Sequence, residues 1–300
     1  MKNLVGGSAD LEPSNVTAGF ADMVKDFSKK NHAGRNFAYG VREFPMGAIN
    51  NGIAQHGGLK VFGATFFVFS DYERPAIRMR ALQKLPVITE YTHDSIFVGE
   101  DGPTHQPIEQ LSGLRAVPNL NIFRPADAIE TFECWELALK NFKTPSIIAL
   151  TRQKVKPIRR IYEKENKCTY GGYEILRTNA EIDLTIFASG SEVELASDIS
   201  HKLATENIYS KVISVPSQEL LDKQSKEYKE RIINETKHKI SIEAGTTDSW
   251  KKYIGENGIS FGINEFGKSA PYKDIYSFFD LTIEKILKKT IRMIKNKNDN

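Results

Sequence analysis

Residues 60–69, Lys-Val-Phe-Gly-Ala-Thr-Phe-Phe-Val-Phe, constrain the fold more than any other stretch. So unbroken an apolar run cannot leave one face to water, which predicts a strand in a sheet covered on both sides. Helix-period and β-branched segments alternate around it. Helices are expected over 44–54 (with Phe44, Ala48, Ile49, Gly52 and Ile53 on one apolar face), 72–84, 108–114 and 126–139. Strands are expected over 86–91, 120–123 and 146–151, and residues 6–19 read as a turn-rich loop. A polar, basic stretch from Arg152 to Lys167 then breaks the pattern. The alternation restarts with strands over 183–188, 211–215, 239–243 and 259–263 and a helix over 193–206, opened by a Ser191–Glu194 capping box. This order predicts an α/β protein of two domains, each a mostly parallel sheet with helices on both faces. The expected domains are 1–155 and 173–295, with a linker at 156–172 and a disordered tail at 296–300.

Composition narrows the function classes. Three hundred residues with 40% hydrophobic and 26% charged side chains are ordinary for a folded water-soluble chain. The formal charge of +3 is spread along the sequence, so neither nucleic acid nor membrane is implied as a partner. Lys285, Lys288, Lys289, Arg292, Lys295 and Lys297 read as the solvated face of a terminal helix with a frayed tail. Two unpatterned cysteines, Cys134 and Cys168, suit a reducing compartment, and no apolar run has the length of a membrane span or a signal peptide core. A cytoplasmic location is expected.

Residues 92–107, Thr-His-Asp-Ser-Ile-Phe-Val-Gly-Glu-Asp-Gly-Pro-Thr-His-Gln-Pro, collect two histidines and three acids in a segment too broken by Gly and Pro to be helix or strand. The loop follows a predicted strand, and ligands of open α/β sheets bind beyond the C-terminal ends of strands. Residue types alone leave a structural loop, a metal site or a substrate site open. The histidines stand twelve residues apart without a short-spaced partner, which speaks against a metal, and no metal ligand is assigned to this chain.

Gly40-Val-Arg-Glu-Phe44, the strand ending Phe66 to Tyr72 and the 92–107 loop occur in an order that resembles the C-terminal half of transketolases. Gly6-Gly-Ser-Ala-Asp-Leu11, Pro13-Ser-Asn15, Arg152-Gln153, Gly190-Ser-Glu-Val-Glu194, Glu243-Ala-Gly245 and Phe266-Gly-Lys-Ser-Ala-Pro271 extend the likeness over nearly the whole chain. The resemblance implies a pyrimidine-binding domain followed by the transketolase C-terminal domain, and transfer of a two-carbon ketol unit between sugar phosphates with thiamine diphosphate as cofactor. Glu43 then matches the acid that hydrogen-bonds the cofactor's pyrimidine nitrogen, and Phe66, Phe69 and Tyr72 match the walls of that ring. His105 matches the catalytic position at the donor's hydroxyl and carbonyl end, and Asp101 the position that reads a substrate hydroxyl. Ser14, His93 and Arg152 match the clamp on the substrate phosphate.

One part of the pattern is missing. The Gly-Asp-Gly motif, which holds the cofactor's diphosphate through Mg²⁺ or Ca²⁺, does not occur, and Glu100-Asp101-Gly102 belongs to the substrate loop. The resemblance therefore implies a split subunit or a C-terminal fragment, inactive until a diphosphate-binding chain completes the site in a homo- or hetero-oligomer. A deoxyxylulose-phosphate synthase-like enzyme and a noncatalytic regulatory module are the alternative expectations.

Overall fold

In a computed structural model, residues 1–159, 161 and 163–295 are described. The tail expected at 296–300 lies outside the described residues. The first sheet is built from β1 (Leu4–Ser8), β2 (Lys60–Phe66), β3 (Val87–Thr92), β4 (Asn121–Phe123) and β5 (Ser146–Leu150) in the order β1-β2-β3-β5-β4, all parallel. Its helices are α1 (Glu12–Asn15), α2 (Ala18–Val24), α3 (Glu43–His56), α4 (Ser70–Gln83), α5 (Gln110–Arg115) and α6 (Ala128–Lys140). Every residue of β2 is buried, as its apolar run demands.

The second sheet contains β6 (Tyr173–Arg177), β7 (Leu184–Ala188), β8 (Ser210–Ser214), β9 (His238–Ile242) and β10 (Ile259–Phe261) in the order β10-β9-β7-β8-β6. Only β6 runs antiparallel. Around it lie α7 (Glu192–Thr205), α8 (Gln218–Asp222), α9 (Lys226–Ile233), α10 (Lys251–Ile254), α11 (Tyr272–Phe278) and α12 (Ile283–Lys295). The apolar core of this sheet also takes in Ile96, Ile108 and Ala126 from the first half, so the two halves pack as one body.

Four expectations need correction. The run from Lys60 leaves the sheet at Phe66; residues 67–69 form a 3₁₀ turn that feeds α4 at Ser70. The loop read at 6–19 begins inside β1, where glycine disguised a strand: a Cβ on Gly7 would lie 2.1 Å from the Phe37 carbonyl oxygen. On α3 the buried face is Glu43, Met46, Gly47 and Asn50, while Phe44 and Ile49 are each 49% exposed. Close packing against α4 decides this, since a Cβ on Gly47 would meet Glu73 Oε1 at 2.6 Å. Finally, no capping box opens α7. Ser191 is itself helical and its hydroxyl donates to Glu192 Oε1, while Glu194 is drawn away by the Lys156 backbone N–H and ammonium.

Candidate active site

The site forms where β2 and β3 end side by side, with Phe66 in register with Thr92. His93, the next residue, adopts a left-handed backbone (φ 62°), a conformation a non-glycine residue keeps only when its surroundings hold it. Two contacts do so. Its ring stacks on Phe66 with centroids 3.7 Å apart, and its Nδ1 lies 2.9 Å from Thr92 Oγ1.

The aromatic wall continues through the 3₁₀ turn. Phe69 lies nearly parallel to Phe66 at 5.9 Å, and Tyr72 follows at 5.9 Å but is 66% exposed. His105 meets Phe69 and Phe66 edge-on, at 5.6 and 6.4 Å. Flat apolar faces bordered by imidazoles suit a planar heterocycle with polar edges. Glu43 sits in the first turn of α3, 8% exposed, where the helix dipole favours a carboxylate. Its charge reaches Tyr91 of β3.

Electrostatics tie the polar residues together. Burial pushes the His93 imidazole down to about 4, and Arg152 and His105 push the same way while Asp101 opposes them. At neutral pH His93 is therefore uncharged beside an exposed guanidinium, and among the described residues Arg152 has no ion-pair partner. An unpaired Arg beside a neutral imidazole is a ready anion clamp. Ser14 stands apart: it is exposed on α1 and makes no side-chain hydrogen bond among the described residues, whereas its neighbour Asn15 is buried and reaches β3. Thus His93, Asp101, His105, Arg152, Phe66, Phe69 and Tyr72 share one locale, Glu43 is linked to it only by its charge on Tyr91 of β3, and Ser14 only through α1.

The 92–107 loop is held from the other half of the chain. Gly99 and Gly102 turn it with positive φ (88° and 77°). Gln106, 2% exposed, donates from Nε2 to both Gly99 O and Lys268 O, and Ser269 Oγ donates to Glu100 O at 2.6 Å. Gly267 is required there, because a Cβ would lie 1.7 Å from Gln106 Oε1. Asp94, beside His93, accepts from Arg124 Nε at 2.8 Å, and Arg124 also reaches Glu192. These supports leave no signal in residue spacing; Gly190–Glu194 and Phe266–Pro271 supply them through Glu192, Lys268 and Ser269. Among the described residues no group of three or more His, Cys, Asp and Glu side chains could hold a metal ion.

Comparison with known proteins bears on the same residues. The family model "Transketolase, pyrimidine binding domain" matches residues 1–157, and "Transketolase-like TK C-terminal domain" matches 171–282. The chain is 46% identical over 302 residues to a transketolase of Halalkalibacterium halodurans, covering 98% of this chain and 44% of that protein. It thus spans less than half the length of the curated relatives it matches. Among solved structures, a Pichia stipitis transketolase in complex with sedoheptulose 7-phosphate superposes with a TM-score of 0.91 at 39% identity, over 99% of this chain and 44% of that one. A chain described as a split gene transketolase, inactive beta4 tetramer, shares the fold (TM-score 0.78, 23% identity) over 98% of this chain and 92% of its own length.

Proposed function

Because this chain belongs to the transketolase family, whose pyrimidine-binding and C-terminal domains it comprises, we propose that it supplies the pyrimidine and substrate side of a shared thiamine-diphosphate site. The diphosphate-binding half, as a separate subunit or as the other part of a longer transketolase, brings the Mg²⁺ or Ca²⁺ for the diphosphate. The assembly transfers a two-carbon ketol unit from a ketose phosphate to an aldose phosphate, the chemistry of the pentose phosphate pathway, as a cytoplasmic dimer or larger oligomer. In this reading residues 1–155 form the pyrimidine-binding domain, 156–172 the linker and 173–295 the C-terminal domain, close to the matched ranges.

When bound, thiamine diphosphate supplies the carbon nucleophile that takes up the two-carbon unit. This chain's residues do the rest on their side. Glu43 hydrogen-bonds the pyrimidine nitrogen. Phe66, Phe69 and Tyr72 orient the ring and exclude water from its faces. His105 exchanges protons with the donor's hydroxyl and carbonyl end, and Asp101 accepts from a substrate hydroxyl. Arg152 and His93 hold the phosphate, with Ser14 at its edge.

The observation that carries this reading is the convergence of His93, Asp101, His105 and unpaired Arg152 beside stacked Phe66 and Phe69. Product analysis of the assembled enzyme tests it. With xylulose 5-phosphate and ribose 5-phosphate, a seven-carbon ketose phosphate is expected; product only from pyruvate would support the deoxyxylulose-phosphate synthase-like alternative.

A further inference from the structure

A chain of four hydrogen bonds runs from the α1 loop to His93, and its direction is fixed at its start. The Leu11 backbone N–H, which can only donate, gives its proton to Ser8 Oγ at 3.1 Å. The Ser8 hydroxyl donates to Asn15 Oδ1 at 2.7 Å, and Asn15 Nδ2 donates to Thr92 Oγ1 at 2.7 Å. Thr92 Oγ1 then stands 2.9 Å from His93 Nδ1.

We infer that Ser8, Asn15 and Thr92 are positioning residues that lock His93 in the tautomer protonated on Nε2, so that it offers an anionic ligand an uncharged N–H donor. Among the described residues the Thr92 hydroxyl has no other acceptor, so its proton goes to Nδ1. The reverse polarity fails at the far end. Turning the Asn15 amide round would make Ser8 Oγ accept from both Leu11 N and Nδ2, leaving the Ser8 proton without a partner at a position 1% exposed. Every hydroxyl accepts once and donates once only in the forward direction.

The surroundings fit a neutral, fixed imidazole. His93 is 6% exposed, stacked on Phe66, strained at φ 62°, and kept uncharged near neutrality by burial and by Arg152. An imidazolium is unnecessary where Arg152 already brings the positive charge. A directional donor beside that charge adds geometry rather than attraction. Only the anionic nature of the ligand rests on the proposed function; the tautomer stands or falls without it.

The test is nitrogen NMR of histidine-labelled full chain, with His93 signals identified by their loss in His93→Gln. Wild-type His93 is expected to show an unprotonated Nδ1 and a protonated Nε2, invariant from pH 5.5 to 9. Asn15→Asp keeps the shape but accepts from both Ser8 and Thr92; at pH 8 it should turn the Thr92 hydroxyl round and move the His93 proton to Nδ1. If Asn15→Asp does not fold, Thr92→Val should give an averaged Nδ1 signal that Thr92→Ser restores. A protonated Nδ1 in the wild type, or a His93 signature unmoved by Asn15→Asp and Thr92→Val, overturns the inference. Neither result would touch the question of ketol transfer.

Discussion

Arg124 Nη1 lies 2.6 Å from Glu192 Oε2, joining the end of β4 in the first sheet to the first turn of α7 beside the second. The same guanidinium pairs with Asp94 through Nε at 2.8 Å and donates to Ser189 O. Both acids and the arginine are buried, so the cluster fixes Asp94, next to His93, relative to the other half of the chain. Buried pairs of this kind gain little over an apolar core but are costly to break one-sidedly.

Arg124→Met should therefore destabilise the chain by about 3–5 kcal/mol, because two buried carboxylates lose their counter-charge. Arg177→Ala serves as the contrast. Its pairs with Glu174 and Glu235 are about one-third exposed, and its loss should cost no more than about 1 kcal/mol. Urea unfolding midpoints at pH 7 decide, and equal costs for the two variants would contradict the account.

Gln106→Leu should loosen the 92–107 loop without disturbing β2. It removes the hydrogen bonds to the buried Gly99 carbonyl, which keeps the Gly102 N–H, and to the part-buried Lys268 carbonyl, a loss of about 0.5–1.5 kcal/mol each. Hydrogen exchange reads the effect locally. The amides of Gly102, His105 and Gln106 should exchange faster than in wild type while those of β2 stay protected; unchanged exchange in the loop would remove Gln106 from this role.

Glu90 gives the stability curve a slope at neutral pH. It lies in β3, 8% exposed, without a side-chain hydrogen bond among the described residues, and burial raises it from 4.5 to about 7. The native state therefore keeps a proton that the unfolded chain gives up above pH 4.5, and stability falls as pH rises through that window to about 7. Glu90→Gln, which mimics the protonated form, should match wild type at pH 4 and exceed it at pH 8 by about 3 kcal/mol. Thermal unfolding at the two pH values is the check, and a gain of equal size at both would mean that titration is not the cause.

The sequence made some of this legible for physical reasons. An apolar run such as Lys60–Phe66 announces a buried strand because burial acts on every residue in it, and the Gly- and Pro-broken segment after Thr92 forms no α-helix or strand before α5, only a 3₁₀ turn at 96–98. Single hydrogen bonds leave no such period. Asn15 and Thr92 are 77 positions apart, Gln106 and Lys268 162, and nothing in composition links them. The face of α3 was misread for a related reason: Phe44 and Ile49 have the spacing of a buried stripe, yet α4 claims the face bearing Gly47 and Asn50. Glycine hid β1, since residues that permit close backbone approach also mark turns.

The most direct measurement is ketol transfer from xylulose 5-phosphate to ribose 5-phosphate, with thiamine diphosphate and Mg²⁺, as a diphosphate-binding transketolase half is titrated into this chain. No turnover is expected from the chain alone. Activity should appear on addition, saturate at one partner per chain, and fall about 10²- to 10⁴-fold or more with Glu43→Gln. Turnover without the partner, or a near-normal rate with Glu43→Gln, would contradict the assignment of this chain to one side of a shared site.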